Sequence, residues 1–220
     1  MHFFSVPSTI QGLFRACTWR KKCTEKTIYL TFDDGPHPTI TPWVIEQLEV
    51  YQAKATFFCV GENVLRYPDV CSLLLSQGHR LANHTMHHIK GWQTPNPMYF
   101  SDIEACEQAL NQVIGVAQSH SGHNESMEKR LFRPPYGQIT PSQIRHLTTL
   151  GYEIVQWSDL SCDYDPKLVI EKSLNALTKN LKPGNIVVFH DSEKAFEQMK
   201  QILPTYLSVA NAKGYQFKTL

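Results

Sequence analysis

The sequence lacks the long apolar runs and charge blocks that mark membrane-spanning or polyanion-binding chains. No window approaches the roughly 20 apolar residues of a transmembrane helix, and residues 1–10 carry no signal-peptide pattern. The 21 Lys and Arg residues nearly balance 20 Asp and Glu, which argues against nucleic acid as the partner. Basic residues near the N-terminus are interpreted as a solvated face. We therefore expect a cytoplasmic protein, with association with the cell envelope as the alternative.

Closely spaced cysteines are also absent. The six cysteines are spread through segments that otherwise resemble core or helix, without the spacing of a zinc knuckle or a redox pair. We expect reduced, structural thiols. A length of 220 residues is enough for one full-sized domain with its own core.

Short apolar runs alternate with longer helix-like stretches along most of the chain. The predicted strands cover residues 27–32, 55–60, 79–82, 130–133, 153–157, 185–189 and 215–219. The predicted helices cover residues 42–51, 68–77, 99–116, 141–150, 166–181 and 193–212, and residues 119–129 are predicted to form a surface loop. This order predicts an α/β fold with a parallel sheet, either a nearly closed barrel of about seven strands or an open doubly wound sheet. Functional residues should collect at the carboxyl ends of the strands.

Two adjacent carboxylates, Asp33 and Asp34, end the first predicted strand and precede a Gly-Pro turn. Neighbouring strand residues point to opposite sides, so the two side chains are suited to different roles. One can bind a metal ion while the other acts as a base. An Asp-rich turn is the alternative, which turn statistics favour for such a pair taken alone.

Three histidines, His84, His87 and His88, follow the third predicted strand. On a helical turn His84 and His88 would share one face and could bind the same ion. His87 would serve nearly as well, so spacing leaves the choice open, and a surface histidine cluster is the alternative. Together with Asp34, two neutral imidazoles would leave open positions on a zinc-like ion, as a catalytic site requires.

Arg133 ends the fourth predicted strand and is followed by two prolines. Its guanidinium could hold a carboxylate in place. The prolines, including Pro135, fix the backbone so that the N–H of Tyr136 can face a developing oxyanion. A stiff loop with a packed tyrosine is the structural alternative.

His190 ends the sixth predicted strand. Taken alone, such a histidine is more often a core or capping residue than a catalyst. With Asp163 nearby to stabilise its protonated form, it becomes a candidate general acid.

Together these motifs resemble the polysaccharide deacetylase family, also called the NodB homology domain or carbohydrate esterase family 4. Residues 31–36 (TFDDGP), 84–88 (HTMHH) and 133–136 (RPPY) match its first three motifs in family order. The match predicts a catalytic domain over residues 26–220, preceded by an N-terminal extension, residues 1–25, that packs on it. It implies a distorted (β/α) barrel with about seven parallel strands, a divalent metal, and hydrolysis of N-acetyl or O-acetyl groups on a glycan.

The resemblance also implies which residues bind the metal. The ligands would be Asp34, His84 and His88. The resemblance thus favours His88 over His87 as the second histidine ligand. Zinc (Zn²⁺) is favoured by ligand type, and Co²⁺, Ni²⁺ or Fe²⁺ also suit two histidines and one aspartate.

The resemblance also implies catalytic and binding roles for further residues. Asp33, oriented by Arg133, would be the base, and His190, kept protonated by Asp163, would be the acid. The oxyanion and the acetyl and sugar groups would be bound by Tyr136, Pro135, Trp157, Val188 and Tyr164.

Three positions depart from the family pattern. Leu160 stands where an Asp is frequent, Tyr164 where a Trp is usual, and Val188 where a Leu is common. These differences bear on substrate choice more than on chemistry. The rival interpretations are an inactive glycan-binding homologue, an amidase acting on a small non-sugar amide, and a glycosidase using Asp33 and Asp34, whose adjacency argues against the required separation of about 5–10 Å.

Overall fold

The computed structural model describes residues 4–121 and 129–220. The strands in this described part are β1 (Thr27–Asp33), β2 (Ala55–Cys59), β3 (Arg80–Asn83), β4 (Arg130–Phe132), β5 (Tyr152–Ile154), β6 (Asp159–Leu160), β7 (Ile186–His190) and β8 (Gln216–Phe217). The helices are α1 (Ser8–Leu13), α2 (Ile40–Glu49), α3 (Gly61–Arg66), α4 (Pro68–Ser76), α5 (Asn96–Ser121), α6 (Pro141–Thr149), α7 (Ile170–Lys179) and α8 (Glu193–Ala212).

The strands form one parallel sheet in the order β5-β4-β3-β2-β1-β7-β6, with β8 paired to the amino-terminal end of β1. The sheet curls into an incomplete barrel with β5 and β6 at its two edges. The predicted distorted parallel barrel is confirmed. Strand β6 was not predicted, because two residues are too few to produce a recognisable apolar run.

The N-terminal segment connects the two edges of the sheet. The N–H of Leu160 in β6 donates to the carbonyl of Phe4 at 2.9 Å, and the N–H of Thr18 donates to the carbonyl of Ile154 in β5 at 2.8 Å. Residues 4–18 therefore span the gap that the seven-strand order leaves open. The proposed domain boundary at residue 25 stays a prediction.

The alternation of side chains in β1 separates the main hydrophobic core from the barrel interior. Three of its apolar residues join the main hydrophobic cluster: Ile28, Leu30 and Phe32. Thr31 and Asp33 lie on the other face, where both accept hydrogen bonds from the buried Arg133. Strand residues alternate between faces. Since Phe32 packs in the core, its neighbour Asp33 points into the barrel.

Each predicted helix has a counterpart in the structure, but α7 is shorter than the predicted helix at residues 166–181 and covers only Ile170–Lys179. Helices α1 and α3 were not predicted, since each is only six residues long. Helix α5 extends to Ser121, so the first part of the predicted loop at residues 119–129 is helical, while residues 122–128 lie outside the described part.

Two further sequence-based expectations concern membranes and disulfides. Within the described residues, every helix is too short or too polar to cross a bilayer. All six cysteines belong to the described part, and each is a free thiol, five of them buried. The expectation of unpaired structural cysteines agrees with this finding.

Candidate active site

The candidate site lies where the parallel strands end, on the carboxyl-terminal side of the sheet. Asp33 is the last residue of β1 and His190 is the last residue of β7. The two strands are hydrogen-bonded neighbours, and Asp33 and His190 are partners in their register. The candidate base and the candidate acid are thus placed side by side by strand pairing alone.

A group of three potential metal ligands lies beside this pair. One ligand atom from each of Asp34, His84 and His88 lies within 4.8 Å of the others. Nε2 of His88 is 3.2 Å from Oδ1 of Asp34, and Nε2 of His84 is 3.8 Å from the same atom. The imidazole rings of the two histidines have centroids 5.0 Å apart.

The helical turn suggested for residues 84–88 is wrong. The segment is a loop in which Thr85 has φ 67° and His88 has φ 54°, both left-handed values. Asp34 also has a positive φ, 78°. The loop, rather than helical periodicity, brings His84 and His88 to the same point, and such backbone conformations in non-glycine residues are typical of functional sites.

Helix α5 holds this loop through one carboxylate. Asp102 accepts hydrogen bonds from the backbone N–H groups of Met86 and His87, at 2.8 and 3.1 Å. It also pairs with Nδ1 of His87 at 2.5 Å. His87 is therefore engaged away from the group formed by Asp34, His84 and His88.

Asp33 is fixed by a fully buried arginine. The guanidinium of Arg133 donates to Oδ1 of Asp33 and to the hydroxyl of Thr31, each at 2.7 Å. It also donates to the backbone carbonyls of Val155 and Gln156, at 3.3 and 3.1 Å. With four acceptors around one rigid group, Arg133 holds the Asp33 carboxylate in one orientation.

His190 is held in the same way by Asp163, which is fully buried. Nδ1 of His190 donates to Oδ1 of Asp163 at 2.7 Å, and its backbone N–H donates to Oδ2 at 2.9 Å. Burial opposes the charged ring, but the Asp163 carboxylate, aided by Asp34 and Asp33, outweighs burial and raises the pKa of His190 to about 9. At neutral pH the ring carries a proton on Nε2 that it can give away.

Tyr136 lies in a short 3₁₀ turn, Pro135–Gly137, with a left-handed φ of 60°. Its ring centroid is 4.7 Å from that of His88, and the residue is 56% exposed. Among residues 4–121 and 129–220, the Tyr136 N–H donates to no protein acceptor. An amide N–H without a protein acceptor is suited to binding an oxyanion.

The remaining predicted pocket residues differ in accessibility. The ring of Tyr164 contacts that of His190 edge-on, with centroids 5.2 Å apart. Trp157 is partly buried and contacts the turn at Gly137. Val188 is buried on the same sheet face as its register partner Thr31, so its side chain lies beneath the site rather than at its surface.

The model of the family described as polysaccharide deacetylase matches residues 20–155. The chain belongs to the polysaccharide deacetylase family. This deacetylase-family chain is 33% identical over 207 residues to a peptidoglycan N-acetylglucosamine deacetylase of Bacillus cereus, covering 92% of this chain and 90% of the relative. It is 31% identical to a chitooligosaccharide deacetylase of Azorhizobium caulinodans, over 76% of this chain and 74% of the relative.

Solved structures agree with this assignment. A peptidoglycan N-acetylglucosamine deacetylase crystallised with a naphthyl N-hydroxybenzamide has a TM-score of 0.78 and 26% identity to this polysaccharide deacetylase. The match covers 98% of this chain and 95% of the solved one. The family membership and the barrel inferred from the sequence motifs are therefore confirmed.

The donor set of this polysaccharide deacetylase fits a divalent cation. Ligand atoms each about 2 Å from one ion lie at most about 4 Å apart, and both histidine Nε2 atoms lie within that distance of Asp34 Oδ1. Nδ1 of His84 donates to the carbonyl of Arg133 at 2.8 Å, which leaves Nε2 with its lone pair.

The protonation states also suit a metal. Burial lowers the pKa of His84 to about 4, so its ring is neutral. Burial opposes ionisation of Asp34, but the hydrogen bond from His88 and the neighbouring histidine charges hold the pKa of Asp34 well below its usual range. A neutral imidazole and an ionised carboxylate are the forms that bind metal.

Two residues that organise the site of this deacetylase, Asp102 and Asp191, were not predicted from the sequence. Asp102 lies within a long helix and carries no motif, so no local signal marked it. Asp191 directly follows His190 and is fully buried, and a Cβ on Gly35 would come within 2.1 Å of Asp191 Oδ2. That close approach explains the glycine of the TFDDGP motif. The signal that could have identified Asp191 was its position directly after His190.

Proposed function

We propose that this protein hydrolyses the N-acetyl group of sugars in an acetylated glycan, releasing acetate and a free amino sugar. The observation that carries the proposal is the register pairing of Asp33 with His190 beside the group of Asp34, His84 and His88. A base, an acid and a metal-binding group within reach of one substrate are what amide hydrolysis requires.

Asp33 acts as the general base. It is 4% exposed and accepts a 2.7 Å hydrogen bond from Arg133, so its orientation is fixed before substrate arrives. In this role Asp33 takes the proton from the attacking water. A preoriented carboxylate loses little free energy to reorganisation during that step.

His190 acts as the general acid. Asp163 fixes Nδ1 as a donor, so the proton that His190 transfers is the one on Nε2, which faces away from Asp163. This proton goes to the nitrogen of the departing amino sugar, which would otherwise leave as an unstable anion. With its pKa raised to about 9, the ring is protonated at neutral pH.

The tetrahedral oxyanion needs positive charge or hydrogen-bond donors. We assign the N–H of Tyr136 to this role, because it has no acceptor among the described residues and the ring of the same residue contacts that of His88. Asp34, His84 and His88 would hold the cation, which when bound would polarise the acetyl carbonyl and lower the pKa of water. We favour Zn²⁺ for this donor set, with Co²⁺, Ni²⁺ or Fe²⁺ as alternatives.

The substrate class is a glycan rather than a small amide. Tyr136 and Tyr164 border the site, and aromatic rings of this kind offer flat faces to sugar rings. The relatives named above act on peptidoglycan or chitooligosaccharide, according to their names. The cytoplasmic location expected from the sequence stays a prediction, which fractionation of the producing cells would test.

The test is acetate release from N-acetylglucosamine oligomers, peptidoglycan fragments and acetamide, with metal-reconstituted and chelator-treated protein. We expect metal-dependent release from the glycans and little from acetamide. The matched control is Asp33→Asn, which should bind metal but lose on the order of a hundredfold in turnover, as expected for a positioned proton acceptor.

Three results would contradict the proposal. Acetate from acetamide alone would favour the amidase alternative. Glycan binding without release at any metal concentration would favour an inactive homologue. Full activity of Asp33→Asn would remove Asp33 from the mechanism.

A further inference from the structure

Two lysines lie over the two tyrosines that border the site. Nζ of Lys90 is 5.0 Å from the ring centroid of Tyr136, and Nζ of Lys194 is 5.5 Å from that of Tyr164. Tyr136 in turn contacts His88, and Tyr164 contacts His190. Each ammonium group is therefore one aromatic ring away from a histidine of the proposed site.

These lysines have no carboxylate partner within the described residues. The exposed acids at the same rim are engaged elsewhere. Oε1 of Glu193 lies 3.4 Å from Nε2 of His37, and Oε1 of Glu62 lies 3.9 Å from Nε2 of His87. The positive charges of Lys90 and Lys194 are thus left for a group from outside the protein.

The sheet order places the two lysines on opposite sides of the candidate base. Lys90 follows β3, which lies two strands from β1, and Lys194 follows β7, which adjoins β1 on its other side. Asp33 and Asp34 at the end of β1 lie between them. A glycan strand crossing the ends of the strands would meet one lysine before the reacting sugar and the other after it.

We infer that Lys90 and Lys194 bind acidic substituents on the sugars flanking the one that is deacetylated, and that they select an acidic glycan over a neutral one. The inference rests on the proposed function. A strand that alternates N-acetylglucosamine with a lactyl-bearing sugar offers a carboxylate on each side of every N-acetylglucosamine. A chitin-type oligomer offers none.

The tyrosine rings add to this arrangement. The cation–π contact restricts the conformations of each flexible lysine side chain, so less conformational entropy is lost when a carboxylate binds. Each contact has one exposed partner, Tyr136 or Lys194, and one partly buried partner, so each is worth a modest free energy that salt will screen. Selectivity should therefore depend on ionic strength.

The experiment compares kcat/KM for two substrates of equal length, one alternating with lactyl-bearing sugars and one made of N-acetylglucosamine only. The variants are Lys90→Gln, Lys194→Gln and both together, with Lys90→Arg and Lys194→Arg as conservative replacements. The control is Lys200→Gln, because Lys200 also lies over an aromatic ring, Phe196, at 5.5 Å, but that ring packs against Trp43 and Lys200 already has a carboxylate partner, Glu197, at 2.7 Å.

We expect the double glutamine variant to lose about tenfold in the ratio of kcat/KM for the acidic over the neutral substrate, mainly through KM. The arginine variants should keep the ratio, and the loss should shrink at high salt. An unchanged ratio, or an equal loss on both substrates, would overturn the inference. Absence of acetate from every glycan would instead mean that the proposed function has failed.

Discussion

The backbone carbonyl of Arg133 accepts a hydrogen bond from Nδ1 of His84 at 2.8 Å, while its guanidinium donates to Asp33 at 2.7 Å. One residue therefore fixes both a candidate metal ligand and the candidate base. Any movement of the backbone at Arg133 would disturb both groups together. This link makes the arginine a positioning residue for the whole site.

Replacing Arg133 with methionine should destabilise the fold as well as abolish turnover. The change leaves Asp33 as a buried carboxylate without its cation, and removing one partner of a buried pair typically costs roughly 3–5 kcal/mol. Urea unfolding of the metal-free protein would measure the loss. A variant as stable as the parent protein would contradict the assignment.

A double substitution provides the control. Asp33→Asn combined with Arg133→Met removes the unpaired charge, so much of the lost stability should return. Activity should not return, because the base is gone. A double variant no more stable than Arg133→Met alone would show that the carbonyl and Thr31 contacts of the guanidinium, not the Asp33 pair, dominate.

Metal binding should distinguish two neighbouring histidines. His84→Ala should weaken zinc binding by more than about a hundredfold, beyond the losses typical of outer-shell changes. His87→Ala is the matched control, because His87 pairs with Asp102 and should leave stoichiometric metal in place. Metal content after dialysis would be measured by elemental analysis. Stoichiometric metal in His84→Ala would show that the ligand assignment is wrong.

The pH dependence should reveal the His190–Asp163 pair. As the acid, His190 must be protonated, so kcat/KM, which reports the pKa values of the free enzyme, should fall as pH rises through about 9, the pKa that Asp163 maintains. Asp163→Asn removes that carboxylate, so the alkaline limb should move toward the free-histidine value of about 6.5. An alkaline limb that does not move in Asp163→Asn would exclude His190 as the proton donor.

The same shift affects stability with a definite sign. The pKa of His190 is higher in the folded protein than in the unfolded chain. The stability that the protonated ring contributes is therefore fully present below about pH 6.5. The contribution is lost as pH rises through about 9. The free energies of unfolding of the parent protein and of Asp163→Asn should therefore approach each other at alkaline pH.

Gly35→Ala should be destabilising despite its small size. A Cβ at this position would come 2.1 Å from Oδ2 of Asp191, which is far shorter than a van der Waals contact. Overpacking of this kind typically costs about 1–3 kcal/mol. Gly12→Ala is the control, since nothing lies within 4 Å of its added Cβ. Equal melting temperatures for the two variants would contradict the close packing of Asp191.

Much of the architecture was predictable because the strands are apolar and bounded by turn residues. The pattern of β1 predicted both the strand and the polar pair that ends it, and neighbouring parallel strands necessarily bring their ends together. The loop at residues 84–88 was not predictable from periodicity, since Asp102 holds the backbone of Met86 and His87 from outside the segment. That aspartate is 14 residues further along the chain and belongs to a different element.

The N-terminal segment that spans the gap between β5 and β6 has a practical consequence for protein production. A shortened chain beginning at residue 26 would leave the backbone N–H and C=O groups of both edges without their partners at Phe4 and Thr18. Exposed strand edges are templates for intermolecular pairing and aggregation. Expression vectors for this enzyme should therefore include the first 25 residues, even though its proposed chemistry uses none of them.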